Sequence, residues 1–151
     1  MRKFARQTGF TLIELLVVIG ILAVLLAIVL IAINPARQFA QANNTQRASD
    51  VNAILNAVHQ YMADNSGTPP TNLTASASGE LASTDIDICA DLVPVYLAAL
   101  PSDPQVGDPI DEAGCGAAYS TGYTISRSLS NNRITVSAAT PELGQVISVT
   151  R

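Results

Sequence analysis

From Leu15 to Ile33 the chain runs for 19 residues without a charge, and the only ionisable group in the longer apolar stretch from Phe10 to Ile33 is Glu14. As a helix this stretch would be roughly 36 Å long at about 1.5 Å per residue, enough to cross a bilayer. The segment before it, Met1 to Gly9, carries Arg2, Lys3 and Arg6 and no acid. The positive-inside rule keeps that end cytoplasmic and sends the C-terminal bulk across the membrane. Glu14 is the anomaly. A carboxyl five residues into an apolar helix costs on the order of a few kcal/mol in lipid, so it asks for a cation at the same depth. A cut after Gly9 would supply one, the new amino group on Phe10. Its own Glu14, one turn along, is a poor match because the first-turn amides already need acceptors, and a neighbouring subunit's Glu14 is a better one. The simpler alternatives are a signal anchor or a secretory signal cut near Ala32. Against them stand a leader of nine residues ending in Gly-Phe and an apolar run too long for a signal-peptide core.

Arg2-Lys3-Phe4-Ala5-Arg6-Gln7-Thr8-Gly9, followed by Phe10-Thr11-Leu12-Ile13-Glu14-Leu15-Leu16-Val17-Val18, resembles the class III signal of type IV pilins and type II secretion pseudopilins. The match of residues covers about the first third of the chain. The resemblance implies cleavage between Gly9 and Phe10 by a membrane aspartyl peptidase and N-methylation of Phe10. It also implies that Glu14 neutralises an adjacent subunit's amine during assembly.

Of the 151 residues, 142 would remain after the leader is removed, enough for one small domain beyond the span. The processed chain would carry 5 arginines against 12 acids, a formal net of -7. No Lys or Arg lies between Arg47 and Arg127, an interval holding ten acids, so nucleic acid is disfavoured as a partner. Cys89 and Cys115 fall on the side that the charge rule places outside. In an oxidising compartment they read as one disulfide, the alternative being two unrelated reduced thiols.

Four segments follow in order: a leader over 1–9, a transmembrane or filament-core helix over 10–33, an amphipathic helix over 34–65, and a head over 66–151. In the second segment Gly20, Ala23, Ala27 and Ala32 are small positions where another helix could approach. Asn34-Pro35 predicts a kink, with Asn34 as a cap and Pro35 at a first helical position. Ala48, Val51, Leu55, Val58 and Met62 mark an apolar stripe widened by Ile54 and Tyr61. The opposite face is read as Arg47, Asp50, Asn52, Asn56, His59 and Gln60, with His59 solvated. Gly67 and Pro69-Pro70 stop the helix. Residues 66–88, rich in Ser, Thr, Ala and Gly, read as an extended surface connection. Asn43-Asn44-Thr45 and Asn72-Leu73-Thr74 match a glycosylation tripeptide that chance produces often.

Asp91 to Leu100 predicts a short helix ended by Pro101, and Leu100-Pro101-Ser102-Asp103-Pro104 resembles a stretch that leads into the sheet of pseudopilins. Asp103, Asp108, Asp111 and Glu112 offer hard oxygen ligands on a turning loop, a set suited to calcium, although the spacing is not that of an EF-hand. The expectation is no cofactor. Residues 119–130, 133–137 and 145–150 alternate as strands, the first two joined at Asn131-Asn132.

The fold class is therefore α+β, pilin-like: a long N-terminal helical spine, transmembrane in its first half, packed on a small C-terminal antiparallel sheet. The expected function is that of a structural filament subunit, a homopolymer made in the cytoplasmic membrane with its head outside. Its partners would be a prepilin peptidase and methylase and an assembly platform. An extracellular pilus and a periplasmic type II secretion pseudopilus are the close alternatives, a monomeric anchored binding domain the distant one. No Ser-His-Asp or Cys-His arrangement and no phosphate loop suggests an enzyme.

Overall fold

A computed structural model describes residues 9–151. The leader residues 1–8 lie outside the described part. The chain divides into two compact units, one ending at Gln38 and one spanning Phe39–Arg151.

In the first unit α1 (Leu12–Ile33) starts at Thr11, whose side chain accepts from the Glu14 amide while the Glu14 side chain returns to the Thr11 amide, a complete capping box. Every residue of α1 is exposed. The helix ends at Asn34, in the left-handed region at φ 46°. Asn tolerates that conformation better than most residues. Pro35 then opens α2 (Pro35–Asp64), where its missing amide costs no hydrogen bond.

The second unit is built on the Phe39–Asp64 part of α2. Val51, Ile54, Leu55, Ala57 and Val58 are buried there. They meet Leu81, Tyr123, Ile125, Ile134 and Val136 of the sheet, with Leu73, Ile88 and Leu92 closing the core from the connections. Ser66 and Gly67 both take positive φ, and the Gly67 amide donates to the Met62 carbonyl at 2.7 Å, ending α2. The sheet has four antiparallel strands in chain order, β1 (Ser78–Ala82), β2 (Ser120–Arg127), β3 (Ile134–Ala138) and β4 (Ser148–Thr150). Alternation places Tyr123, Ile125, Ile134 and Val136 inward and Thr124, Ser126, Thr135 and Ser137 outward.

Three sequence expectations need correction. Residues 66–88 are more than a surface connection, because they supply edge strand β1 and bury Leu73, Leu81, Ile86 and Ile88. Ser-Gly-Glu-Leu-Ala has no β-branched residue, and its pairing with β2 and the burial of Leu81 outweigh its weak propensity. The helix expected over 91–100 exists only as α3 (Cys89–Leu92). Val93 precedes a proline and is held extended at φ -101°, ψ 133°, which ends the helix. Finally, Arg47 and Asp50 are buried rather than solvated, His59 is half-buried, and Ala48 is exposed. The dry stripe of α2 runs through Asn44, Arg47, Val51, Ile54, Leu55 and Val58.

Cys89 and Cys115 form a disulfide with Cα atoms 5.3 Å apart, joining α3 to the 3-10 turn Gly114–Gly116. The bridge closes a loop with a sequence separation of 26. Replacing both cysteines by serine is expected to lower the unfolding free energy of the head by about 3.5 kcal/mol on loop entropy. Urea unfolding of the full chain in detergent, followed by tyrosine fluorescence, checks this. An unchanged midpoint would refute it.

Candidate assembly site

Gly9 and Phe10 lie before the first helical residue, and Phe10 is 85% exposed. At Glu14, Oε2 accepts from the Thr11 amide at 2.9 Å and from the Thr11 hydroxyl at 2.8 Å. Among the described residues nothing donates to Oε1. The box therefore serves one carboxylate oxygen and two N-terminal groups, and leaves the second oxygen facing outward. Further along α1, Gly20 opens a notch walled by Leu16, Val17, Ile21, Val24 and Leu25, and a Cβ on Gly20 would meet nothing within 4 Å.

The head carries a second polar arrangement, which the sequence reading missed. Arg47 is fully buried on the apolar stripe of α2. Its Nε donates to Asp103 Oδ2 at 2.6 Å and its Nη2 to Asp103 Oδ1 at 2.9 Å, a bidentate pair with both side chains inaccessible. Nη1 reaches Glu142 Oε2 at 2.9 Å and Asn44 Oδ1 at 3.0 Å. Asn44 also takes the Glu142 amide (3.0 Å) and gives its own amide to the Glu142 carbonyl (2.8 Å). The Asp103 amide in turn donates to the Thr121 carbonyl of β2 at 2.8 Å. One guanidinium thus ties α2 to the loop before β2 and to the loop before β4. Gly122 belongs to the same design: it sits at φ +71°, and a Cβ there would lie 2.9 Å from Asp103 Cβ and from Val106 Cγ2.

Beside this pair, Asp50 accepts from the Tyr123 hydroxyl at 2.7 Å and from Gln46 at 2.8 Å. Burial is the main influence on Asp50 and holds its carboxyl above the ordinary range. Burial also pushes Asp103 up, but the Arg47 hydrogen bond and the Gln105 amide outweigh it, and the group lies below its ordinary value. Glu142 is lowered by Asn43 and then by Arg47. The four acids considered for calcium do not converge, since Asp103 faces Arg47 while Asp108, Asp111 and Glu112 are exposed. Among the described residues no group of three or more His, Cys, Asp or Glu is placed to hold a metal.

Residues 4–30 match the family described as "Prokaryotic N-terminal methylation motif". The chain is 34% identical to the type II secretion system core protein G of Escherichia coli over 109 residues, covering 72% of this chain and 73% of that one. It is 34% identical to the core protein G of Aeromonas hydrophila over 106 residues, 69% and 71% of the two chains. The chain belongs to the type IV pilin and type II secretion pseudopilin family. The family is structural rather than enzymatic. With the Vibrio cholerae core protein G identity is 36% over 72 residues, about half of either chain (48%). No solved structure matches this pilin-family chain. Likeness to the E. coli and Aeromonas proteins extends well past the first third of the chain, so the head shares it.

A signal for Arg47 was present in this pilin-family sequence. Val51, Leu55 and Val58 lie at i+4, i+8 and i+11 from it, which puts the guanidinium in phase with the core. Its partners, 56 and 95 residues away, had no local signal.

Replacing Asp103 by Asn leaves a buried guanidinium without its counter-charge and is expected to cost about 3–5 kcal/mol at pH 7. The acid limb should change with it. Asp103 and Glu142, lowered in the fold, stabilise it fully above the unfolded carboxylate pKa of about 4, and that stability drains as pH falls through their folded values. Asp50, raised in the fold, acts with the opposite sign and gains on protonation. Thermal unfolding from pH 7 to pH 3 should show a shallower acid loss for Asp103→Asn than for the parent. Equal stability at pH 7 would refute the buried pair.

Proposed function

We propose that the chain is a major-type pseudopilin: a membrane precursor cut after Gly9, methylated at Phe10 and polymerised through α1 into a periplasmic pseudopilus of a type II secretion machine. The observation that supports this most is the combination of an α1 with no buried residue and a Glu14 whose Oε1 has no donor within the chain's described residues. Both need something from outside the subunit. Curated relatives named as type II secretion core proteins favour the secretion filament over a surface pilus.

The energetics follow from the solvent. Moving α1 from lipid into a bundle of like helices gains little hydrophobic free energy, since both surroundings are apolar. Close packing and a charge pair must then set the register. Gly20 gives one place for close approach, and the methylated amine on Phe10 of a neighbouring subunit gives Glu14 its cation. Thr11 holds one oxygen in place and the amine takes the other. Asn34-Pro35, where α1 gives way to α2, is the proposed kink of this helix. A prepilin peptidase and methylase and a membrane assembly platform are the partners this route requires. No step calls for a catalytic group or a cofactor on this chain.

Glu14→Gln separates the cap from the charge, because glutamine also closes a capping box. Both Glu14→Gln and Glu14→Ala are expected to insert in the membrane and be processed, with assembled polymer reduced by about tenfold or more if the amine pair fixes register. Normal filaments from Glu14→Gln would refute the charge role.

Intact mass and N-terminal sequencing of the chain, from membranes and from sheared surface material of the same cells, test the route. The expected species begins at methylated Phe10 and stays with the membranes. Its recovery mainly in the sheared fraction would favour a surface pilus, and a chain still beginning at Met1 would overturn the proposal.

A further inference from the structure

The arginines of the head are gathered. Residues 39–151 hold four, against eleven acids. Arg47 is buried in its ion pairs. Arg127, Arg133 and Arg151 all lie at one end of the sheet, where β2 ends, β3 begins and β4 ends. Arg127 pairs with Ile134, and Ile134 exchanges both backbone hydrogen bonds with Arg151, at 2.7 and 3.0 Å. Arg127 and Arg133 border a surface groove of about 330 Å³. Four of its residues, Ser78, Ser126, Thr135 and Thr150, stand in register across the four strands, so the groove is lined with hydroxyls. Arg133 is exposed, with no side-chain partner among the described residues. Arg127 is half-buried, gives Nη2 to Asn132 at 3.0 Å and Nη1 to the Leu73 carbonyl at 3.5 Å, and buries an Nε that finds no acceptor. Arg151 gives Nη1 to Asn56 at 2.7 Å, so Arg133 is the guanidinium left for a partner.

Exposed acids collect on a loop elsewhere. Asp108, Asp111 and Glu112 flank the buried Ile110, whose amide and carbonyl both bond Leu100, at 2.8 and 2.7 Å. Just beyond, Cys115 is tied to Cys89. The loop is therefore anchored from inside while its carboxylates face out. Asp111 caps the Gly114 amide at 2.8 Å, and among the described residues no cation neutralises Asp108 or Glu112. The segment leading into this loop crosses β2 at Thr121 and Gly122. From Thr121 to Arg127 is about 20 Å along the strand at roughly 3.3 Å per residue.

We infer that the arginine end of one head receives the 108–112 loop of a second copy of this chain in the polymer; this rests on the filament reading above. Charge complementarity selects the occupant. A head with four arginines against eleven acids repels any polyanion at long range, another head included. The occupant is therefore one held close by other means, and a neighbouring head in the filament brings exposed carboxylates on a fixed loop. Guanidinium groups at the rim match carboxylates, and the serine and threonine hydroxyls supply further donors. The two patches lie toward opposite ends of β2, so the contact we infer is heterologous, one patch of each copy meeting the other patch of the next, and with a rotation that does not close it adds copies without limit. A helical filament requires that arrangement.

The full chain carrying Arg133→Cys and Glu112→Cys, expressed with its own assembly machinery and mildly oxidised, tests the contact; the native disulfide leaves no free thiol to interfere. The expected result is a ladder of cross-linked multimers beyond the dimer, absent from either single variant. A second arm exchanges charge. Arg133→Glu alone and Glu112→Arg alone should each lower recovered polymer by about tenfold, and the combined variant should recover most of it. Polymer that forms normally from Arg133→Glu, or cross-linking that stops at dimers, would overturn the contact while leaving the filament reading intact. A parent chain never found in polymer, processed or not, would overturn both.

Discussion

The head depends on a guanidinium placed where a hydrophobic side chain would be expected. Arg47 shares the stripe of α2 with Val51, Ile54, Leu55 and Val58, and it is as inaccessible as they are. Burying it is tolerable only because Asp103 meets it with both oxygens and Glu142 and Asn44 take the remaining directions. Apolar contacts between helix and sheet have no direction and would accept several rotations of one on the other. A bidentate pair accepts one. The two loops that hold Asp103 and Glu142 lead into β2 and β4, so a single side chain fixes the helix against two strands of the sheet.

The legible parts of the sequence were those encoded locally. The apolar run, the Asn34-Pro35 boundary, the Gly67 stop and the alternation of β2 and β3 are each encoded by neighbouring residues, whereas the capping box by which Thr11 engages Glu14 emerged only with the structure. What escaped reading was long-range. β1 has weak strand propensity and exists because Leu81 is buried and β2 offers an edge. The partners of Arg47 lie far along the chain. The 91–100 segment was misread because Val93-Pro94 overrides a helical pattern that the residues around it suggest. Asp103 reads in the sequence as one of four acids on a turning loop suited to calcium, and only its placement against α2 shows it to be a counter-ion.

The two units solve different problems with similar parts. In the head, a buried charge finds its partners within the chain. Among the described residues, the α1 carboxylate finds donors for only one of its oxygens, and none of the helix's apolar residues is buried. The first arrangement stabilises a fold, while the second leaves valence open for another molecule. Lipid satisfies the apolar surface but not the second oxygen of Glu14. Membrane residence would therefore suit α1 without satisfying Glu14, as the assembly route proposed above requires.

Charge sets a limit on how such subunits pack. Each head brings an excess of seven acids over arginines, so neighbouring heads repel whenever their fields overlap. At physiological ionic strength that repulsion is screened beyond about 8 Å, and what survives is the set of groups brought nearly into contact. Spread evenly, two exposed arginines and a half-buried one would do little against eleven acids. Gathered at one sheet end, with the 108–112 loop toward the other end of β2, they would in the inferred contact make one approach favourable and leave most others unfavourable. In the filament proposed above, the packing of α1 would supply the strength of the polymer, and the uneven distribution of a small number of cations would supply the orientation of its heads.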